Sequence, residues 1–374
     1  MNNQVVYCIR SMTIAGGKER AVSKIANLLA DQYDVGIWSL SNTPKSFYAL
    51  DSRIRHSVLD AMSFLGLPRL KACLHFCQSV RMLVRFIRQE RPAILVGTDF
   101  VVNILLLLAR FVSGARVTII GWEHLPLEEP LIANRKWLKK VRDFFYKRLD
   151  QLVVLTETDL AYCRKQHIRG CVIANPRSFA FEGTVDYEQK NILTIARLSY
   201  QKGLDIYLKV IASIKDKLEG WQFILVTKED DISLASFEKE LVRYQLRDHV
   251  QICSPRVDVL KYYEQASIYL MTSRYEGLPI TLIEAQTCGL PCVSFDCKTG
   301  PADIISDGEN GYLIPAYAIE QMAERLLQLM ARSALRKQMG AAAKTASKRF
   351  DERHIVNLWQ NLLKSTRGYS KFAS

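Results

Sequence analysis

Ser273-Arg274-Tyr275-Glu276-Gly277-Leu278-Pro279-Ile280-Thr281-Leu282-Ile283-Glu284 is the stretch on which the reading of this chain turns. Glu276 and Glu284 stand eight residues apart, with Gly277 and Pro279 between them and then an apolar run. Pro279 suits the first turn of a helix, where its missing N–H costs nothing. Gly289 suits the stop, and Pro291 prevents continuation. Glu276 is therefore placed in a loop and Glu284 one to two turns inside a short helix. From Gly277 to Phe295, Glu284 is the sole member of the set Asp, Glu, Lys and Arg. A carboxylate in such company is costly unless something bonds to it. The helix start also offers free N–H groups and a positive dipole end to an anionic or polar ligand. Spacing alone leaves open a solvent-facing Glu on an amphipathic helix.

The surrounding words are more specific. Ser-Arg-Tyr-Glu-Gly-Leu-Pro, then Glu284-Ala285, Gly289-Leu290-Pro291 and Gly308-Glu309-Asn310-Gly311, resemble the E-x7-E region of retaining glycosyltransferases of family 4. These are GT-B enzymes that use nucleotide-diphosphate sugars. The resemblance covers nearly the whole chain, is most specific over 191–315 and is weaker over 1–150.

The rest of the chain is consistent with that architecture. A length of 374 residues predicts about two domains, and a hydrophobic fraction of 49% supplies two cores. Alternating strands and helices predict a parallel sheet in each half. The expected fold class is α/β of GT-B type, two Rossmann-like domains facing across a cleft. Residues 1–178 form the acceptor-side domain and 190–349 the nucleotide-sugar domain. Residues 350–374, with Trp359, resemble the terminal helix that crosses back to the first domain. The polar stretch Ser178 to Gln189 is read as the linker. The first-domain strands are read at Val5–Ile9, Val35–Leu40, Ala93–Gly97, Arg116–Gly121 and Asp150–Thr156, with a short strand at Val172-Ile173.

A formal charge of +13 points to anionic partners. Nine cysteines form no C-x-x-C pair, which reads as buried, reduced thiols in a cytoplasmic protein, and no metal site is implied. No signal peptide is evident, and the longest apolar run, Val101 to Val112, falls short of the ~20 residues that span a bilayer.

Three places outside the opening stretch carry chemistry. Gly16-Gly17 joins the first strand to a helix, so backbone and helix N-terminus can approach an anion. It lacks the G-x-G-x-x-G dinucleotide fingerprint, but Gly-Gly-Lys-Glu-Arg resembles the family's N-terminal loop. Trp122-Glu123-His124 ends another strand, where an open α/β sheet meets its ligand; the resemblance implies that His124 contacts the donor sugar. Arg197 and Lys202 leave the loop after the strand Ile192–Ala196, and Arg-Leu-x-x-x-Lys-Gly is the family's diphosphate clamp. Charge-assisted bonds of this kind are the strong class. The resemblance assigns the sugar to Glu276, the ribose hydroxyls to Glu284, and further donor contacts to Gly277, Leu278 and Pro279. Arg256 could stack on the base. The sequence departs from the family after the strand Trp221–Thr227, where Lys228-Glu229-Asp230-Asp231 replaces the usual glycine pair.

The expected activity moves a sugar from a nucleotide-diphosphate sugar, UDP-linked by preference, to an acceptor hydroxyl with retention of configuration. Expected acceptors are a glycan or lipid-linked glycan of bacterial surface polysaccharide. No cofactor or metal is implied, since no Asp-x-Asp motif occurs. A nucleotide-sugar epimerase on the same fold lacks an acid/base motif here, and a nucleic-acid binder lacks an aromatic-rich signature. The basic helical region Leu131 to Leu149 combines Arg135, Lys136, Lys139, Lys140, Arg142, Lys147 and Arg148 with Trp137, Leu138, Val141, Phe144 and Phe145. It suits an interfacial helix on an anionic membrane, placing the protein on the cytoplasmic face. Core packing of Leu138, Val141 and Phe145 is the alternative.

Overall fold

The computed structural model describes residues 3–14, 16–40, 45–60, 69–128, 135–255 and 258–369. The chain divides into two compact units: 1–178 with 352–374, and 179–351.

The first unit is built on a seven-stranded parallel sheet. In chain order its strands are β1 (Gln4–Ile9), β2 (Asp34–Ser39), β3 (Arg55–Val58), β4 (Ile94–Gly97), β5 (Thr118–Trp122), β6 (Gln151–Val154) and β7 (Gly170–Val172). Across the sheet they run β3-β2-β1-β4-β5-β6-β7. Strands covered on both faces need unbroken apolar runs, and β1, β4 and β5 are buried at every residue. The helices are α1 (Gly17–Leu29), α2 (Arg69–Glu90), α3 (Phe100–Ser113), α4 (Lys136–Tyr146), α5 (Glu157–Lys165) and the returning α12 (Glu352–Tyr369). Asp99 caps α3 by accepting from the Val101 and Val102 N–H groups, and Gly114 ends it in the left-handed region. Trp359 on α12 is fully buried, 4.7 Å from the Trp122 ring and 6.2 Å from Tyr7. Lys24 on α1 pairs with Glu352 at 2.7 Å, fixing the start of α12.

The second unit repeats the plan with six parallel strands: β8 (Asn191–Ile195), β9 (Gln222–Val226), β10 (Val250–Cys253), β11 (Ile268–Met271), β12 (Cys292–Asp296) and β13 (Gly311–Pro315), ordered β10-β9-β8-β11-β12-β13. Its helices are α6 (Leu204–Ile214), α7 (Leu234–Arg243), α8 (Leu260–Glu264), α9 (Ile280–Cys288), α10 (Ile319–Ala331) and α11 (Ser333–Ala346). Each unit closes its own apolar core.

The sequence reading is corrected in several places. β3 went unread. β7 is Gly170–Val172 rather than Val172-Ile173 and forms the edge of the first sheet beside β6. Pro279 is the N-cap of α9, one residue ahead of the first turn. The boundary between the units falls at 178/179, at the start of the expected linker, and the stretch after it packs on the second unit: Phe181 and Val185 are buried, and the Tyr187 hydroxyl donates to Gly289 O at 2.8 Å. Of the cysteines with described side chains, none is disulfide-bonded and Cys77 is exposed.

Candidate active site

In both sheets the order reverses beside the first strand, between β1 and β4 and again between β8 and β11. At such a switch point the loops leave in opposite directions and open a crevice at the strand carboxyl ends, where ligands of open α/β sheets bind.

The second unit places the opening stretch there. The loop after β8 carries Arg197 and Lys202, and the loop after β11 carries Glu276. Lys202 Nζ meets Glu276 Oε1 at 2.6 Å, with both side chains largely shielded from water. Gly203 makes this approach possible. Its φ is +63°, and a Cβ there would lie 2.2 Å from Thr272 O. Arg274 locks the two loops further, donating to both Asp205 oxygens at 2.9 and 2.7 Å and to Tyr200 O at 2.8 Å. Gly300, at φ +93°, lets its own turn press against the Glu276-Gly277 loop, since a Cβ there would meet Gly277 O at 2.2 Å.

Helix α9 follows at once. Its first internal bonds run from the Leu282 and Ile283 N–H groups to Pro279 O at 3.1 and 3.3 Å, leaving the earlier N–H groups as donors of a helix start. Gly277, Leu278 and Pro279 lie buried at this end. Glu284 sits in the second turn and is 1% exposed. It is not alone: the Tyr263 hydroxyl from α8 donates to its Oε2 at 2.6 Å. Burial and the Glu284 charge together push the Tyr263 phenol far up, so it stays a donor. Arg197 leaves in another direction, its guanidinium bonded to Asp230 of the Lys228–Asp231 loop. The two expected clamp cations are thus each held by a different carboxylate. Arg256 lies outside the described residues.

The first unit gathers a second polar group at its own switch point. Gly16 is the N-cap of α1 and Gly17 its first residue. The helix start is already covered by an internal anion, because a Cβ on Gly16 would sit 2.2 Å from Glu19 Oε2. Asp99, at the end of β4, receives Arg10 Nε at 2.8 Å and Lys18 Nζ at 3.5 Å. These cations pull its carboxyl below the usual range against the opposing effect of burial. At the end of β5, Glu123 accepts from Asn103 Nδ2 at 3.2 Å and from the Tyr146 hydroxyl. His124 stacks 4.5 Å from the Trp122 ring, and its buried Nε2 has no partner. Burial lowers its pKa from 6.5 to about 3, so the ring is neutral at pH 7. A neutral imidazole with one open nitrogen can donate to or accept from a sugar hydroxyl.

Burial pushes the Glu123 carboxyl up from 4.5 to about 7, opposed by the Tyr146 hydrogen bond. The unfolded chain releases this proton above pH 4.5 while the folded chain keeps it to about 7. Stability therefore falls as pH rises through that window, by about 3 kcal/mol at pH 8. Glu123→Gln keeps an acceptor for Asn103 and Tyr146, so it should raise the melting temperature at pH 8 and lose that advantage near pH 4.5. The same shift at both pH values would show that the carboxyl is not held protonated.

Sequence reasoning did not find Tyr263, Asp230, Asp99 or Glu123 as partners. Asp99 had a signal, an acid between a strand and an apolar helix; the others lack a local one.

Two Rossmann-order parallel sheets, each ending in a charged switch point, define an α/β protein of the GT-B class. S. aureus TarM, solved with fondaparinux, alpha-GlcNAc-glycerol and UDP, superposes with a TM-score of 0.80 at 15% identity, over 96% of this chain and 99% of that one. Residues 177–346 match the family described as glycosyl transferases group 1. Relatives matched along nearly their whole length are named as glycosyltransferases. The amylovoran biosynthesis glycosyltransferase AmsD of Erwinia amylovora is 28% identical over 96% of this chain and 99% of its own length. The Campylobacter jejuni GalNAc-alpha-(1->4)-GalNAc-alpha-(1->3)-diNAcBac-PP-undecaprenol alpha-1,4-N-acetyl-D-galactosaminyltransferase is 26% identical over 93% of this chain and 95% of its own.

Proposed function

We propose that this protein is a retaining, family 4 glycosyltransferase that moves a sugar from a UDP-sugar to a hydroxyl of a glycan or lipid-linked glycan in bacterial surface polysaccharide synthesis. The observation that carries the reading is the Lys202–Glu276 pair at the β8/β11 switch point, beside the start of α9. Loss of a diphosphate leaving group needs fixed positive charge where negative charge develops. Lys202, Arg197 and the α9 N-terminus supply it. Glu276 turns to the sugar when Lys202 turns to phosphate, and Glu284, already oriented by Tyr263, takes the ribose. In the first unit, His124 offers its buried, unpartnered Nε2 to a sugar hydroxyl, whereas Gly16 has both backbone groups bonded within the chain. UDP is favoured because the structurally similar TarM was solved with UDP, and a lipid-linked acceptor because the Campylobacter relative is named for an undecaprenol-linked one. Since side chains and a helix end carry the diphosphate charge, the reaction should run without a divalent metal.

The test incubates purified protein with UDP-, GDP- and ADP-sugars and acceptor-bearing lipid extract, with and without EDTA. Nucleotide release from a UDP-sugar in both conditions, with the product keeping the donor's anomeric configuration by NMR, is expected. Release from none of the donors, or inversion, would contradict the reading. Loss in EDTA restored by magnesium or manganese would remove its metal-free part.

We further place the protein on the cytoplasmic face of an anionic membrane. Among the described residues, no helix is long and apolar enough to cross a bilayer. On α4, Trp137 and Phe144 are 66% and 53% exposed, and with Val141 they form an outward stripe at i, i+4 and i+7. Lys136, Lys140 and Lys147 are exposed with them. Arg142, read from the sequence as part of the basic face, is instead buried, donating at 2.9 Å to Asp143 and to the Tyr162 hydroxyl. Aromatic side chains amid lysines suit an interfacial helix, and each lysine near the surface contributes roughly 1 kcal/mol. Lys140→Glu with Lys147→Glu should weaken co-sedimentation with phosphatidylserine vesicles by about a hundredfold or more, as attraction becomes repulsion at two sites. Equal sedimentation of variant and parent would leave α4 an ordinary surface helix.

A further inference from the structure

The acidic departure Lys228-Glu229-Asp230-Asp231 is laced onto the loop that bears Arg197. Leu198 N–H donates to Lys228 O at 2.9 Å, and Ile232 N–H donates to Leu198 O at 3.0 Å. The Asp231 carboxylate accepts from Tyr200 N–H at 3.1 Å. The Glu229 carboxylate accepts from Leu234 N–H at 2.7 Å, at the start of α7. Two of the three acids thus fix the loop through backbone N–H groups. The third, Asp230, is left aimed at the Arg197 guanidinium, in a pair 42% and 38% exposed. The pair that holds the other expected clamp cation, Lys202 with Glu276, is far less exposed, at 18% and 6%.

We propose that Asp230 is a built-in competitor for the donor's diphosphate, occupying Arg197 in the empty site and remaining beside the phosphates as a fixed negative charge once they displace it. The inference rests on the donor-site reading above. An exposed ion pair contributes little, so a diphosphate with two or more charges opens it readily. The carboxylate cannot withdraw far, because its neighbours on both sides are bonded in place. Its repulsion grows with the charge of the ligand. A nucleoside diphosphate released after transfer carries one more negative charge than the nucleotide sugar, so Asp230 weakens product binding more than donor binding. The acidic loop therefore speeds product departure with a small loss in donor affinity.

The experiment is calorimetric titration of UDP and of UMP into the parent protein, Asp230→Asn and Asp230→Glu, with turnover measured at rising UDP. Asp230→Asn should bind UDP about five- to tenfold more tightly, the scale set by removing one exposed carboxylate that both holds Arg197 and repels phosphate. Its UMP affinity should change by less than about threefold, because the β-phosphate is absent. UDP inhibition of turnover should strengthen in the same proportion, and Asp230→Glu should resemble the parent. Added salt should shrink the difference between parent and Asp230→Asn. Unchanged or weaker UDP binding by Asp230→Asn would overturn the proposal, because Asp230 would then only orient Arg197. Absence of UDP binding by all three proteins would overturn the donor-site reading itself, and this inference with it.

Discussion

Lys202→Ala is expected to lower turnover with a UDP-sugar by about 10²-fold or more, the scale for removing one preorganised charge-stabilising group. Lys202 is the more shielded of the two expected clamp cations, and its Nζ stands 2.6 Å from Glu276 at the switch point. A charge held away from water acts more strongly on a departing diphosphate than one in solvent. The same shielding complicates the variant. Truncation strands a buried carboxylate, which costs about 3–5 kcal/mol when its partner is simply removed. The double variant Lys202→Ala with Glu276→Gln relieves that strain. It should recover the melting temperature without recovering turnover. Arg197→Ala is expected to reduce turnover as well, though less, because Arg197 is more exposed and shared with Asp230. Near-normal turnover in Lys202→Ala would remove the diphosphate assignment.

Glu276→Gln and Glu284→Gln are expected to fail in different steps. Glu276 lies in the loop at the strand ends and is assigned to the sugar, so its variant should bind UDP like the parent and lose about 10²-fold in turnover. Glu284 is assigned to the ribose. Losing a hydrogen bond to a charged group amounts to about 1.5–3 kcal/mol, so its variant should bind UDP and UDP-sugar about tenfold or more weakly, to the same degree. A structural role for Glu284 has its own signature. If it serves only to hold Tyr263, the substitution lowers the melting temperature and leaves UDP affinity alone. Equal losses of UDP binding in both variants would contradict the division of roles.

Much of this frame is legible in the chain, for physical reasons. Strands such as β1 must be apolar on both faces, and glycine must stand at Gly289 and Gly203, which have φ of +82° and +63°. The order loop, Glu276, helix, Glu284 follows from such local rules. β3 was missed because Arg55-His56-Ser57-Val58 is a polar edge strand none of whose residues is buried, so it carries no apolar run. The pairing of charges was not legible at all. Lys202 and Glu276 are 74 residues apart and Arg197 and Asp230 are 33 apart, and only the sheet order brings them together. Helix α4 shows a third limit. Leu138 and Phe145 make one apolar face and Trp137, Val141 and Phe144 another, so periodicity cannot choose which turns inward. Packing chose, and it took Arg142 inward with the first set.

The most direct test is a crystal structure of the protein grown with UDP. The account expects the diphosphate at the β8/β11 switch point, with Lys202 Nζ moved from Glu276 to a phosphate oxygen at about 3 Å, the α9 N-terminus facing the phosphates and the ribose hydroxyls on Glu284. UDP seated at the Gly16 turn of the first unit, with the Lys202–Glu276 pair intact, would contradict it.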